Sequence, residues 1–215
     1  MSKSKSSKMK KKKKSEKTET MDNTTSLPNT LRHVPANIRS LVDPDDLVFG
    51  IKPDGACGIR SGAAHIFKDQ EEAKRFRKVI NLHITDRWSY YENKIPFPYS
   101  RQVGVQGKWK KFKTPDEYLT YICNNAESEL LWTDTEEIHA IANLYQINIK
   151  IITTKGKDDP KPTIKKVGPN PELQEFSILP AGIVPDMTLL HSQDSHYDLI
   201  VGPSGVHAPA QRSGH

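Results

Sequence analysis

Apolar residues recur along the chain with two periods, one typical of helices and one typical of strands. Small and apolar residues from Cys57 to Phe67 repeat at helical spacing, which predicts a buried helix. The same spacing predicts a second helix from Gln70 to about Tyr91, with Phe76, Val79, Ile80 and Ile84 on its apolar side. Residues 147–153 are almost continuously β-branched, as an interior strand is.

Two further helices have recognisable starts. Thr114 precedes Pro115 and a pair of acidic residues, the usual composition of an N-cap and a first helical turn. Asp134 is followed three residues later by Glu137, a variant of the capping box. Between these helices and the preceding one, residues 93–113 are rich in Pro, Gly and Lys and predict a long loop.

Short strands account for most of the remaining apolar positions. One, "LVFGI", precedes the helices; three more, "TIKKVG", "MTLLHS" and "HYDLIVGP", follow them, and "GKDDPKP" predicts a turn. Helices followed mainly by strands predict an α/β (α+β) layered domain. We expect a central, mainly antiparallel sheet, made from the C-terminal half and flanked by helices.

Charge separates the domain from its N-terminal tail. The formal net charge of the chain is +6, but the first 17 residues hold nine lysines and one acid, so the remainder is slightly acidic. Residues 1–30 are predicted to be a disordered Lys-rich tail, residues 31–202 the folded domain and residues 203–215 a flexible C-terminal tail. A solubilising tail, a nuclear-import signal and a phosphate-binding arm remain open for the lysines, and weak nucleic-acid binding would go through them.

The cellular setting follows from what the sequence lacks. No apolar run is long enough to span a bilayer, and the N-terminus has no apolar signal segment. We expect a monomer in the cytoplasm or nucleus, with no membrane partner. Both cysteines are then expected as reduced thiols, Cys123 as a core residue of a helix.

Cys57 has the surroundings of a nucleophile. It follows Asp54, Gly55 and Ala56 at the predicted first turn of a helix, where the helix dipole and unpaired amides stabilise a thiolate. The backbone N–H groups of the same turn could converge on a developing oxyanion, which acyl transfer requires. A thiolate nucleophile also needs a base.

Most of the eight histidines lie in tails or within predicted helices, which leaves His191 and His196 as candidate bases. His196 begins the final strand, and Asp198 two residues later projects to the same side because strand side chains have a period of two. Asp198 can therefore orient the imidazole. Asp54, near the nucleophile in sequence, is the rival carboxylate for this catalytic role.

Three segments in this order resemble the ovarian tumour (OTU) family of cysteine proteases. "PDGACGIR" is similar to the family's Asp-Gly-x-Cys-x-x-Arg signature, and "WTDTEEIHAIANLYQINIKI" to its Trp-Gly-Asp-x-x-Glu helix followed by a strand. "HYDLIV" resembles its terminal His-Tyr-Asp strand. The resemblance spans about residues 45–202 and implies a papain-like OTU domain.

What the resemblance implies is a deubiquitinase, a thiol-dependent ubiquitin hydrolase. Cys57 would be the nucleophile, His196 the base and then the acid, and Asp198 the residue that holds the imidazole. The turn from Asp54 to Cys57 would form the oxyanion hole. Family members hydrolyse the isopeptide bond at the ubiquitin C-terminus, so the implied partners are ubiquitin or polyubiquitin, with related modifiers accepted by some members. No metal or organic cofactor is implied.

Three positions depart from the family pattern. Ala56 stands where Asn or Asp is usual, Gly58 where a bulky residue is usual, and Thr133 where Gly follows the tryptophan. Two other functions therefore stay open. One is a weakly active or inactive ubiquitin-binding OTU-like module, and the other is a processing protease excised from a polyprotein.

Overall fold

A six-stranded sheet organises the computed structural model, which describes residues 29–95, 98–155, 161–176, 186–192 and 196–203. The strands are β1 (Leu31–His33), β2 (Leu47–Phe49), β3 (Ser100–Val103), β4 (Lys108–Lys111), β5 (Ile149–Thr154), β6 (Thr163–Val167), β7 (Met187–Ser192) and β8 (His196–Val201). The α-helices are α1 (Cys57–Phe67), α2 (Ala73–Asp86), α3 (Trp88–Tyr91), α4 (Pro115–Asn124) and α5 (Thr135–Tyr145). Short 3-10 helices cover Ala36–Leu41, Gln70–Glu72, Glu92–Lys94 and Pro171–Phe176.

Two kinds of prediction fall outside those ranges. Nearly all of the N-terminal tail, the C-terminal tail from residue 204 and most of the "GKDDPKP" turn lie outside the described residues. Within the described ranges, no helix is long and apolar enough to cross a bilayer.

The main sheet has the strand order β1-β2-β8-β7-β5-β6, with α1 packed against β8 and α5 against β6. β5 and β7 are parallel, and the other four neighbouring pairs are antiparallel. The predicted α/β domain with a mainly antiparallel sheet is therefore confirmed. The sheet also contains the N-terminal strands β1 and β2, whereas the prediction built it from the C-terminal half of the chain alone.

Helix α1 is buried from Cys57 to His65 and lies against β8, α2 and α5. Close approach depends on its small residues, because a side-chain carbon on Gly62 would lie 2.6 Å from Cε1 of Phe76 and 3.0 Å from Cδ1 of Ile141. This packing holds the start of α1 beside the start of the last strand.

The helix predicted from Gln70 to about Tyr91 is divided into three pieces. A 3-10 turn leads into α2, and the chain leaves helical geometry at Arg87 (φ −122°, ψ 33°) before α3 begins. Phe76, Ile80 and Ile84 are fully buried and Val79 is partly buried, so the predicted apolar face is right.

The prediction of a loop over residues 93–113 is wrong for residues 100–111. β3 and β4 form an antiparallel hairpin there, and its turn contains Gly104 (φ 76°) and Gly107 (φ 58°) in the left-handed region. All four residues of β4 are exposed, so the strand has no alternation of apolar and polar positions to reveal it.

Both predicted helix starts are confirmed. The Thr114 side chain accepts a hydrogen bond from the backbone N–H of Glu117 (3.2 Å), with Pro115 at the first helical position of α4. At α5, Asp134 and Glu137 form the complete capping box. Cys123 lies on α4 half-buried and packed against the core.

Glu137 does more than cap α5. Its carboxylate is fully buried and pairs with Arg77 (Nε to Oε1, 3.0 Å) and with Arg101, while the neighbouring Glu136 contacts Arg101 and Tyr118. The contacts of Arg101 are hydrogen bonds, whereas Arg77 Nε and Glu137 Oε1 form an ion pair without hydrogen-bond geometry. The network joins α2, β3, α4 and α5, and only its capping role at Glu137 was predicted from the sequence.

Candidate active site

Cys57 is the first residue of α1 and is 2% exposed. Its Sγ accepts a hydrogen bond from the backbone N–H of Tyr197 on β8 (3.4 Å). The His196 side chain also hydrogen-bonds the Cys57 side chain. The sulfur at the start of α1 therefore contacts two neighbouring residues of β8.

His196 and Asp198 are in contact, as the strand period predicts. His196 Nε2 lies 3.0 Å from Asp198 Oδ1, which leaves Nδ1 as the ring nitrogen available to the thiol. Burial lowers the pKa of His196, but hydrogen bonds to Asp198 and Cys57 outweigh it and raise that pKa to about 9. The imidazolium is the form of His196 that these contacts stabilise.

The Asp198 carboxylate is 1% exposed and accepts three hydrogen bonds from different parts of the fold. Oδ1 accepts from His196 and from the backbone N–H of Ile51 (3.1 Å), while Oδ2 accepts from Arg32 Nη2 (2.5 Å). These donors fix both oxygens and compensate for burying the charge. Neither Arg32 nor Ile51 was identified from the sequence.

Asp54 has different partners and does not contact His196. Its Oδ1 accepts from the backbone N–H of Ala56 (2.9 Å), and its Oδ2 pairs with Nε of the buried Arg60 (2.8 Å). The side chain thus ties the turn before Cys57 to the helix that follows. Of the two candidate carboxylates, the structure brings Asp198 to the histidine and Asp54 to the turn.

The backbone N–H groups of residues 54–57, the predicted oxyanion turn, differ in whether they already donate a hydrogen bond. The Asp54 N–H donates to Lys52 O (2.9 Å), that of Ala56 to the Asp54 side chain, and that of Cys57 to Asp54 O (3.2 Å). Within the described residues the Gly55 N–H donates to no acceptor, and Gly55 lines the cleft beside His196. Of the four residues in this turn, Gly55 is therefore the one whose backbone N–H is available to bind an oxyanion.

Close packing explains why position 55 is glycine. A side-chain carbon there would lie 2.7 Å from Cδ1 of Trp132 and 2.9 Å from the carbonyl oxygen of Glu129. The backbone N–H of Thr133 donates to Gly55 O (2.7 Å), which joins the turn to the segment before α5. The second motif thus supports the first.

A cleft of about 290 Å³ opens beside these residues. Its walls come from the turn before Cys57, the tip of the β3–β4 hairpin and the segment before α5. They comprise Pro53, Asp54, Gly55, Gly104, Val105, Glu129, Leu130, Trp132 and His196. Trp132 Nε1 donates to Gly104 O (2.9 Å) and so holds the hairpin tip at the cleft.

No protein-family model and no curated protein matches the sequence. Solved structures do match the fold. The OTU domain of OTUD1 has a TM-score of 0.53 at 17% identity, over 73% of this chain and 86% of that one. An OTU deubiquitinase from Wolbachia pipientis wMel has a TM-score of 0.49 at 12% identity, over 78% and 95%. Hazara virus OTU bound to ubiquitin has 0.45 at 14%, over 81% and 96%.

The fold is therefore the papain-like OTU fold, with the OTUD1 domain as the match that establishes it. The expectation from the three motifs is confirmed at the level of the fold. His196 lines the cleft and contacts both Cys57 and Asp198, which are buried and are not among the described residues that line it.

Proposed function

We propose that the protein is a cysteine protease that hydrolyses the isopeptide bond at the C-terminus of ubiquitin. The observation that supports it most directly is the contact of Cys57 with His196, and of His196 with Asp198, beside an open cleft. The ubiquitin part of the proposal comes from the three OTU-like motifs together with the OTU fold.

In the acylation half-reaction, the Cys57 thiolate attacks the carbonyl carbon of the terminal glycine of ubiquitin. The carbonyl oxygen becomes an oxyanion, which the Gly55 N–H is placed to stabilise. As the C–N bond breaks, the His196 imidazolium gives its proton to the departing lysine amine. The product is a thioester between ubiquitin and Cys57.

Deacylation uses the same residues in reverse. His196, now neutral, takes a proton from a water molecule that attacks the thioester carbonyl. The C–S bond breaks, the thiolate–imidazolium pair is restored, and ubiquitin leaves as a carboxylic acid that releases its proton to solvent. Asp198 holds the ring throughout, because His196 must present Nδ1 to sulfur, amine and water in turn.

The shape of the cleft suits an extended peptide with small residues next to the scissile bond. Gly55 and Gly104 both line it, and Trp132 contacts both of them. A chain that enters between two glycines can approach their backbones closely. The C-terminal Gly-Gly of ubiquitin meets that requirement.

An electrophilic ubiquitin probe with a warhead at its C-terminus tests the proposal. We expect a covalent adduct, located on the Cys57 peptide by mass spectrometry, with none on a folded Cys57→Ala protein. Cys123→Ser is the matched control, since it removes the other thiol, and it should react like the parent protein. Binding of the probe without an adduct would instead support a ubiquitin-binding module, and no interaction at all would contradict ubiquitin as the substrate.

A further inference from the structure

Arg32 reaches the catalytic carboxylate from a strand that none of the OTU-like motifs includes. It lies on β1, 166 residues from Asp198 in the sequence, and its Nη2 donates to Asp198 Oδ2 at 2.5 Å. Asp198 is 1% exposed and Arg32 is 36% exposed at the side chain, so the ion pair has one buried and one partly exposed partner. Within the described residues Asp198 is the single side-chain partner of the Arg32 guanidinium.

The sheet fixes the position of Arg32. Arg32 is paired with Val48 of β2, and Val48 is paired with Ile200 of β8, so the arginine crosses one strand to reach the next. Backbone bonds extend this pairing beyond the strand, from Asn29 N to Gly50 O (2.9 Å) and from Gly50 N to Thr30 O (2.8 Å). These backbone hydrogen bonds hold β1 in the sheet, and the position of β1 keeps the Arg32 guanidinium next to Asp198.

The two carboxylate oxygens of Asp198 accept hydrogen bonds from different donors. Oδ1 receives His196 and the Ile51 N–H, and the charge on Oδ2 is met by Arg32. Without that cation, a buried carboxylate would have an oxygen without its ionic partner, and it would relax by rotating or by taking up a proton. Either change weakens the bond to His196.

We propose that Arg32 is a positioning residue of the Cys57–His196–Asp198 triad, and that it acts through the Asp198 carboxylate. This inference rests on the proposed function for its kinetic test. If Arg32 has this role, activity requires β1 as well as the three OTU-like motifs. Arg32 itself does not touch the reacting atoms.

A double-mutant cycle separates this role from a general contribution to the fold. We expect Arg32→Gln to lower kcat on a fluorogenic ubiquitin substrate by about tenfold or more, with little change in KM, since it removes a charge-assisted hydrogen bond behind the base. In an Asp198→Ala background the same substitution should have almost no further effect on kcat. Arg32→Lys, which keeps the charge, should be intermediate.

His33→Gln is the matched control. His33 is an exposed neighbour on β1 whose side chain points to the opposite face of the sheet, so the same residue type is introduced without touching Asp198. We expect it to retain the parent kcat. Melting temperatures are measured for every variant. If Arg32→Gln does not fold, Arg32→Lys takes its place in the double-mutant cycle.

A substrate-independent readout distinguishes failure of this inference from failure of the proposed function. Chloroacetamide alkylates the Cys57 thiolate directly, and peptide mass spectrometry separates that product from alkylated Cys123. Arg32→Gln should slow alkylation of Cys57 and leave Cys123 unchanged. If the parent protein reacts in this way but does not cleave ubiquitin, the proposed function is wrong and the inference stands.

Two results would overturn the inference. One is an equal loss of kcat from Arg32→Gln in the parent and in the Asp198→Ala background, because the effect would then not pass through Asp198. The other is a folded Arg32→Gln protein with the kcat and the Cys57 alkylation rate of the parent.

Discussion

Thr133 occupies the space that a side chain on Gly58 would need. A carbon added to Gly58 would lie 2.6 Å from Cγ2 of Thr133, and Oγ1 of the same threonine accepts from the backbone N–H of Ile59 (3.2 Å). The two departures from the OTU pattern at these positions are therefore a pair. At position 133, in the segment before α5, the threonine side chain thus fills the space beside Gly58.

This pairing predicts a compensating double substitution. Gly58→Ala should lower the free energy of unfolding by about 1–3 kcal/mol, because it overpacks the contact with Thr133. Thr133→Ser removes the methyl group, while Cβ and Oγ1 at 3.0 and 3.1 Å stay in place, so the double variant should recover part of that loss. Urea unfolding of the parent, both single variants and the double variant measures the coupling. Additive losses would contradict it.

The two carboxylates near the site should behave differently in kinetics. Asp198→Ala is expected to lower kcat by roughly 10²–10⁴-fold with a smaller change in KM, because it leaves His196 unoriented. Asp54→Ala removes the acceptor of the Ala56 N–H and the carboxylate that pairs with the buried Arg60, so it should act mainly through stability and lower kcat less. Steady-state kinetics on the two alanine variants decides the assignment. If Asp198→Ala is near the parent and Asp54→Ala is crippled, Asp54 is the third triad member.

Asp198→Asn is a sharper probe of the same carboxylate. Its amide oxygen can still accept from His196, but its amide nitrogen then lies against the Arg32 guanidinium, a contact between two donors. We expect a kcat between those of the parent and the alanine variant. Adding Arg32→Gln to Asp198→Asn should raise kcat rather than lower it, since the donor–donor contact is removed; a further fall would contradict this expectation.

The pKa of His196 sets the pH dependence. Because it is raised to about 9, above its ordinary value, the imidazolium persists through neutral pH and is lost as pH rises through that value. The kcat/KM profile should therefore have its basic limb near pH 9. Asp198→Ala removes the first hydrogen bond that raises the pKa, so it should move the limb to lower pH. An unmoved limb would mean that another group titrates there.

Activity should tolerate loss of the Lys-rich tail but not of β1. Deleting residues 1–25 leaves Arg32 and its strand in place and should preserve hydrolysis of free diubiquitin at moderate salt. Deleting residues 1–33 removes the cation that meets Asp198 Oδ2, and kcat should fall as it does for Arg32→Gln. Rates on diubiquitin, with circular dichroism as a check on folding, compare the two deletions.

The parts of the site that could be predicted depend on residues close in sequence. Cys57 was recognisable because the turn before it and the helix after it lie within a few residues, and His196 because Asp198 follows at the strand period. Caps such as Thr114 are local as well. Patterns of this length are governed by backbone geometry, which short segments determine on their own.

The remaining parts depend on contacts between distant segments. No local pattern connects Arg32 with Asp198, or Gly58 with Thr133, since each pair meets only after the domain has assembled. The β3–β4 hairpin was missed for another reason. Its second strand is exposed throughout, so tertiary contacts at Trp132 and Gly104, rather than alternating burial, determine its position.

The place of β8 in the sheet has a consequence for how activity arises during folding. This strand comes last among the strands of the described residues, yet it lies between β2 and β7 and contains both His196 and Asp198. A nascent or truncated chain that ends before residue 196 has the thiol of Cys57 but no base to activate it. Insertion of β8 closes contacts of long sequence separation, which are among the last to form. Cys57 therefore gains the contact with His196 only in the step that inserts β8 into the sheet.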